Sequence, residues 1–371
     1  MKLIDFVITA SKTTEKVFCC FWQYVKINIK VFNIFVIINY KPIYIDPLHM
    51  EQQYNPSGSV IKSPALIFHG DGGTYFGILF LNWLLTAVTL GLYYPWAKAK
   101  KLQYLYASTE LDGSRLAWNG TGKEMFKGFL KAMGLFLAVI ILVRVFAYFK
   151  LPFVGILFYL AFLAFVVPAA IHGANRYHWS RTSWRGIRFG YRGDRKTFMM
   201  LFLKEMGLTI VTLGLYGAWA AINIRNYLLS NIRFGSGEFR YNGNGGDFFI
   251  MNLKGYFLSI VTLGIYSFWW QADIFRYYVD NLRLVQGDKT FTFRSTASGG
   301  NFAGLMIVNF ILLMFTFGIA FAWVQTRTIE FLLSNVEIIG DIELSELAQT
   351  EEEYRNATGE DLVDIFDLSF I

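Results

Sequence analysis

The chain has 371 residues, of which 54% are hydrophobic and 18% aromatic, and its mean hydropathy is +0.39. That composition excludes an ordinary water-soluble domain, and the length suffices for several membrane spans, so an integral membrane protein is expected. The net charge of +7 is unevenly spread: from Glu337 to the end eleven acids stand against one Arg, which leaves 33 basic and 16 acidic side chains, a net +17, in the rest. A basic body beside anionic lipid accounts for this, and nucleic acid is not an expected partner, because most of the basic residues border apolar segments.

Residues 1–49 differ from the rest of the chain. Lys2, Lys12, Lys16, Lys26, Lys30 and Lys41 interrupt an Ile/Phe/Val-rich stretch, so no run reaches the length of a span, and no small-residue cleavage pattern marks a signal peptide. The composition break at Met50 suggests a basic extension upstream of a natural start at Met50, the alternative being an interfacial basic helix. A polar leader covers residues 50–67. The cysteines, Cys19 and Cys20, both lie in the extension, so neither a disulfide framework nor a thiolate metal site is expected in the body.

From Phe68 to Gly340 a pattern recurs, with copies near 68–117, 118–188, 189–238, 239–290 and 291–340. Each copy opens with a short β-prone, Gly-punctuated piece such as Phe239-Arg240-Tyr241-Asn242-Gly243, and neighbouring pieces joined through Gly235-Ser236-Gly237 or Gly287-Asp288 alternate as hairpin strands do. An apolar helix comes next: about Tyr75 to Tyr93, Phe126 to Tyr148, Phe198 to Tyr216, Phe248 to Trp269 and Phe302 to Trp323. Three copies close it with Val-Thr-Leu-Gly-x-Tyr, bearing Gly91, Tyr93 and Trp96, then Gly214, Tyr216 and Trp219, then Gly264, Tyr266 and Trp269. A worn version has Gly318 and Trp323, with Ala320 in the Tyr position. Gly relaxes the helix, Thr can bond freed carbonyls, and Tyr and Trp suit an interface.

After each turn comes a short amphipathic stretch, such as Trp96 to Ser108. Copy two instead has Lys150-Leu151-Pro152 and a further apolar run, about Phe153 to Ala170, for six candidate spans in all. With one span per apolar helix, the loops between spans one and two and between spans three and four share a side, cytoplasmic by their basic residues. Those between four and five and between five and six then face opposite sides. If the amphipathic stretches are re-entrant, every hairpin can be cytoplasmic. Residues 341–371 form an acidic tail, expected to be solvated with one short amphipathic helix.

The polar residues inside the apolar helices are the candidate site. Lys131, Lys204 with Glu205, and Lys254 stand about two turns before the turn position, and Asn82 and Asn309 fall within one residue of the same place. Snorkelling lysines are the plain explanation; a polar pathway for an anion or a lipid headgroup, Glu205 paired with a neighbouring Lys, is the functional one. His69 with Asp71, and His172 with His178, lack metal-ligand spacing, Arg192-Gly193-Asp194-Arg195-Lys196-Thr197 lacks that of a phosphate loop and reads as a hairpin turn, and no nucleophile–base pairing is visible.

The repeated Val-Thr-Leu-Gly-x-Tyr-x-x-Trp, with its Gly-rich pieces and Leu111-Asp112-Gly113-Ser114-Arg115, resembles the YjgN-like family of bacterial inner-membrane proteins, a family of unknown function. The resemblance covers about Phe68 to Gly340 and implies a multi-pass protein of the cytoplasmic membrane, without implying catalytic residues or a substrate. The expected fold is therefore mainly α: a multi-pass helical membrane protein of repeated units (apolar helix, Gly-x-Tyr turn, amphipathic helix) linked by short extramembrane β-hairpins. The expected partner is the bilayer, with homo-oligomerisation and protein partners left open, and neither enzyme activity nor a cofactor is expected. A transporter or channel-like protein for an anionic or lipid-like solute is the first functional expectation, a membrane scaffold the second.

Overall fold

The computed structural model describes residues 66–340 and Leu347. The N-terminal extension, nearly all of the leader and the acidic tail other than Leu347 lie outside the described residues, and so do the expectations about a start at Met50, a tail helix and Cys19 and Cys20.

The described residues fold as five successive strand–helix–helix–strand units. The first is β1 (Leu66–Phe68), α1 (Gly72–Val88), α2 (Tyr94–Ala107) and β2 (Thr109–Leu111); the second is β3 (Ser114–Trp118), α3 (Gly122–Tyr148), α4 (Pro152–Ser180) and β4 (Thr182–Trp184). The third is β5 (Ile187–Tyr191), α5 (Arg195–Val211), α6 (Gly217–Ser230) and β6 (Ile232–Phe234), and the fourth β7 (Gly237–Tyr241), α7 (Gly245–Val261), α8 (Ser267–Asp280) and β8 (Leu282–Gln286). The last is β9 (Lys289–Ser295), α9 (Gly299–Phe315), α10 (Phe321–Ser334) and β10 (Val336–Gly340).

All ten strands form one antiparallel meander in chain order. Its registers put every helix pair on one edge: Phe68 pairs with Thr109, Trp118 with Thr182 and Tyr191 with Ile232, each next to a helix end. Tight turns with left-handed residues, such as Asp112-Gly113 and Arg185-Gly186, occupy the other edge. A continuous sheet cannot lie on both sides of a bilayer, so the alternation of hairpins that one span per copy requires does not occur.

Each second helix packs on the first helix of the next unit, and α10 returns to pack on α1 and β1, closing the helices into a ring. Tyr75 on α1 donates to Gln325 Oε1 on α10 at 2.6 Å across that closing seam. β1 and β10 do not pair, so the sheet beneath the ring is an open half-barrel. Its inner face carries Trp118, Trp184, Phe189, Phe234, Phe239, Leu284 and Phe291, which join Leu229, Val279 and Leu333 from the second helices in one buried core. Leu347 is buried in the same core.

The sequence explains the strand-to-helix joints. In four units an aromatic strand end is followed by Asn/His/Arg and then Gly, and the ring lies where a Cβ on that glycine would be: Phe68 over Gly70, Trp118 over Gly120, Tyr191 over Gly193, Tyr241 over Gly243. Ser295 replaces the aromatic in the fifth unit, and Ala297 is accepted there. One residue later comes an N-cap: Asp71, Thr121, Asp194, Asn244 and Ser298 each accept a bond from a backbone N–H of the first helical turn. Arg192-Gly193-Asp194 is such a strand-to-helix joint and not the hairpin turn expected from sequence.

Among the described residues two helices, α3 of 27 residues and α4 of 29, are long and apolar enough to cross a membrane. The other four first helices have 17 residues and the other four second helices 14. The apolar run after Pro152 is no added element. It is the front of a lengthened second helix, and Pro168 inside α4 stands where Pro95 stands at the start of α2.

Candidate functional site

The Gly-x-Tyr segments make one corner four times. In the first, Thr89 Oγ1 donates to Leu85 O at 2.7 Å and accepts from Tyr93 N at 3.0 Å, while Gly91 N reaches back to Thr86 O at 2.7 Å. Thr212, Thr262 and Thr316 make the same pair of bonds, the last to Ala320 N. The worn copy thus forms the same corner, because the accepting group is a hydroxyl and the donor a backbone N–H that Ala supplies as well as Tyr. At each apex a large residue is held in the left-handed region, Leu90, Leu213, Leu263 and Phe317 at φ 49–51°, followed by Gly at φ 87–94°. A β-carbon in that region costs about 1–2 kcal/mol.

The Tyr and Trp of each corner form the joints between units. Tyr93 stacks on Trp96, Tyr216 on Trp219 and Tyr266 on Trp269. Each Trp then covers the first residue of the next unit's first helix, Trp96 on Gly122, Trp219 on Gly245, Trp269 on Gly299 and Trp323 on Gly72, where any side chain would collide with the indole. The aromatic eight residues on closes its own unit: Tyr104, Tyr227 and Tyr277 donate to the N-cap carbonyls of Asp71, Asp194 and Asn244 at 2.9, 2.7 and 2.6 Å. At the seam between α4 and α5 the Trp position is Ala169 and the Gly position Arg195, and His172 instead bonds Gly193 O at 2.8 Å.

The polar candidates do not share one cavity. Lys131, Lys204 and Lys254 occupy the tenth position of α3, α5 and α7 and are exposed on the outside of the helices. The eleventh position, turned by about 100°, is buried in every unit and holds Asn82, Ala132, Glu205, Gly255 and Asn309. These residues face the second helix of their own unit. Asn82 donates to Ala97 O at 3.2 Å, Asn309 to Thr328 Oγ1 at 3.0 Å, and Trp270 fills the space beside Gly255. Glu205 has no exposed surface, and its carboxylate faces the Tyr216 hydroxyl of its own corner. It is not paired with a neighbouring lysine as expected; Lys204, adjacent in sequence, points outward.

Two features escaped the sequence reading. The buried Arg225 guanidinium lies 3.5 Å from the Tyr278 ring centre, a contact between units that no spacing signals. The outer sheet face carries Arg115, Arg188, Arg233, Arg240, Arg283 and Arg294 against Glu110, Glu238 and Glu337, and Arg240 stands directly opposite Arg283. His69, on the same edge as the helices, bonds Glu110 Oε2 at 2.9 Å.

A closed ring of helix pairs, one of which, α3–α4, consists of two helices long and apolar enough to span, standing on a basic sheet, describes an integral membrane protein. The chain belongs to the family described as bacterial protein of unknown function (DUF898), which matches residues 63–254, 236–292 and 270–365. It is similar to the inner membrane protein YjgN of Escherichia coli strain K12, and to that of E. coli O157:H7, each 33% identical over 156 residues. It is also similar to YjgN of Salmonella typhimurium, 32% identical over 127 residues. The matched part covers 41% of this chain and 38% of each E. coli relative, and 34% and 31% for the Salmonella one. No solved structure matches the chain. The chain is thus a protein of the bacterial inner membrane.

Proposed function

We propose that this protein is a non-catalytic membrane scaffold, built from five copies of one βααβ module, that holds a basic sheet against the membrane for an anionic partner. The observation that carries this reading is the filled interior: Trp179, Trp184, Phe291, Ile232, Leu282 and Leu333, from strands and second helices alike, are almost wholly inaccessible. The polar candidates support it too, since three point outward and three are taken up inside separate hairpins. Arg240 opposite Arg283 is repulsive by itself, a cost that a bound anionic group would offset.

Purified protein in liposomes tests the proposal. Chloride and phosphate flux and lipid flipping should equal those of empty vesicles. The transport reading keeps one supporting observation, the fully buried carboxylate of Glu205. A flux that Glu205→Gln abolishes would establish transport and discard the scaffold.

A further inference from the structure

We infer that four of the five helical hairpins enter the bilayer from the sheet side and turn back inside the near leaflet, while the α3–α4 hairpin alone crosses to the other face. The helix starts are level, since every N-cap follows its strand end by three residues at one sheet edge. Seventeen helical residues rise about 25 Å and 27 residues about 40 Å. The second hairpin therefore projects about 15 Å beyond the others, half the ~30 Å thickness of the hydrocarbon.

The exposed lysines set the near boundary. Lys131, Lys204 and Lys254 reach toward headgroups from the tenth helical position. From that level the short corners lie about 10 Å further in, and the tip of α3 about 25 Å. The chemistry of the tips agrees with these depths.

At the short corners Leu90, Leu213, Leu263 and Phe317 are 94–95% exposed, so nothing in the protein repays their left-handed strain. Burial in hydrocarbon does, at about 2 kcal/mol for each side chain. The first of these corners also bonds all of its backbone N–H groups. From Thr89 to Ala97 every N–H donates, Pro95 having none, and the Thr89 hydroxyl takes the Tyr93 N–H that a helix start would otherwise leave to water. Such closure is required only where water is absent.

The long corner is built differently. It carries Tyr148, Phe149 and Lys150 at its tip, an aromatic pair and a cation suited to a headgroup layer, and the left-handed apex position that holds Leu or Phe in the short corners is here Lys150, at φ 59°. The sheet end bears the arginines, so the positive-inside bias puts it in the cytoplasm and Lys150 at the periplasmic face.

Single cysteines on a Cys19→Ser, Cys20→Ser background test this in cells with a permeabilised outer membrane. Phe149→Cys should react with a membrane-impermeant maleimide from the periplasm. Leu90→Cys, Leu213→Cys, Leu263→Cys and Phe317→Cys should not, yet should all react after denaturation in SDS. In reconstituted protein, bimane on those four sites should be quenched most by lipids brominated deep in their chains. Periplasmic labelling at any short corner, loss of labelling at Phe149→Cys, or four corners that brominated lipid does not quench would each overturn the inference.

Discussion

The four short hairpins and the long one share a plan and differ in what their corners must tolerate. A short corner uses a hydroxyl, a glycine and a strained leucine or phenylalanine to give the N–H four residues past the Thr a partner and to present a large apolar side chain at its apex. The long corner lacks the hydroxyl and the glycine, and its left-handed apex residue is a cation, Lys150 at φ 59°, followed by Leu151 and Pro152. Where water or headgroups can satisfy a helix end, the sequence need not. On the inference above, the Thr-Leu-Gly pattern marks dry corners and not merely helix ends.

A charge at the apex breaks this contrast most strongly. Leu213→Arg should cost about 3 kcal/mol and lower the melting temperature in lipid nanodiscs, or deplete the protein from the membrane fraction, whereas Lys150→Asp should leave both nearly unchanged. Equal effects at the two sites would mean that both corners meet the same solvent.

The seams come next. Gly245→Val should drive a side chain into Trp219 and destabilise by about 1–3 kcal/mol, read as a lower midpoint of thermal unfolding in detergent. At the exceptional seam, Ala169→Trp alone should be similarly costly, and Arg195→Gly added to it should restore part of the loss. A double-mutant cycle that shows additivity would separate this seam from the other four.

Removing one hydroxyl is milder. Thr262→Val leaves Leu258 O without its second donor and Tyr266 N unpaired, and should lose about 1–2 kcal/mol, while retaining the helix content seen by circular dichroism. The smallest effect belongs to the N-caps outside the membrane. Hydrogen bonds from Thr197 hold the Asp194 carboxyl below its ordinary value near 3.8. The stabilisation is therefore present above that value and lost as pH falls through the lower folded one. Asp194→Ala should lower the melting temperature slightly at pH 7 and have no further effect once the carboxylate is protonated.

Much of this architecture was legible. The recurring Thr-Leu-Gly corner marked where four of the five first helices break, although the sequence reading carried two of them on to Trp269 and Trp323, and the Gly-rich pieces marked the strands. The caps that follow those pieces went unrecognised, so Arg192-Gly193-Asp194 read as a hairpin turn. The polar site was legible only to within one residue. Lys204 and Glu205 are adjacent, yet a step of about 100° along the helix puts one in contact with the surroundings and the other between two helices. Aligning the copies by their lysines grouped Lys131, Lys204 and Lys254; counting from the N-caps groups Asn82, Glu205 and Asn309 with Ala132 and Gly255. The exchange of Trp and Gly for Ala169 and Arg195 was present in the sequence as well, but carries no meaning until α4 and α5 are known to be neighbours.

By itself the amino-acid sequence determined the local pieces: caps, corners, strand alternation and an apolar composition that belongs in lipid, because each rests on residues within a turn or two of one another. Only the tertiary structure decided that all strands share one sheet, that the last helix closes on the first, and that the second copy is lengthened and not interrupted. Those facts depend on hydrogen bonds and side-chain packing between segments far apart in the chain, where periodicity along the sequence has no means of choosing a partner.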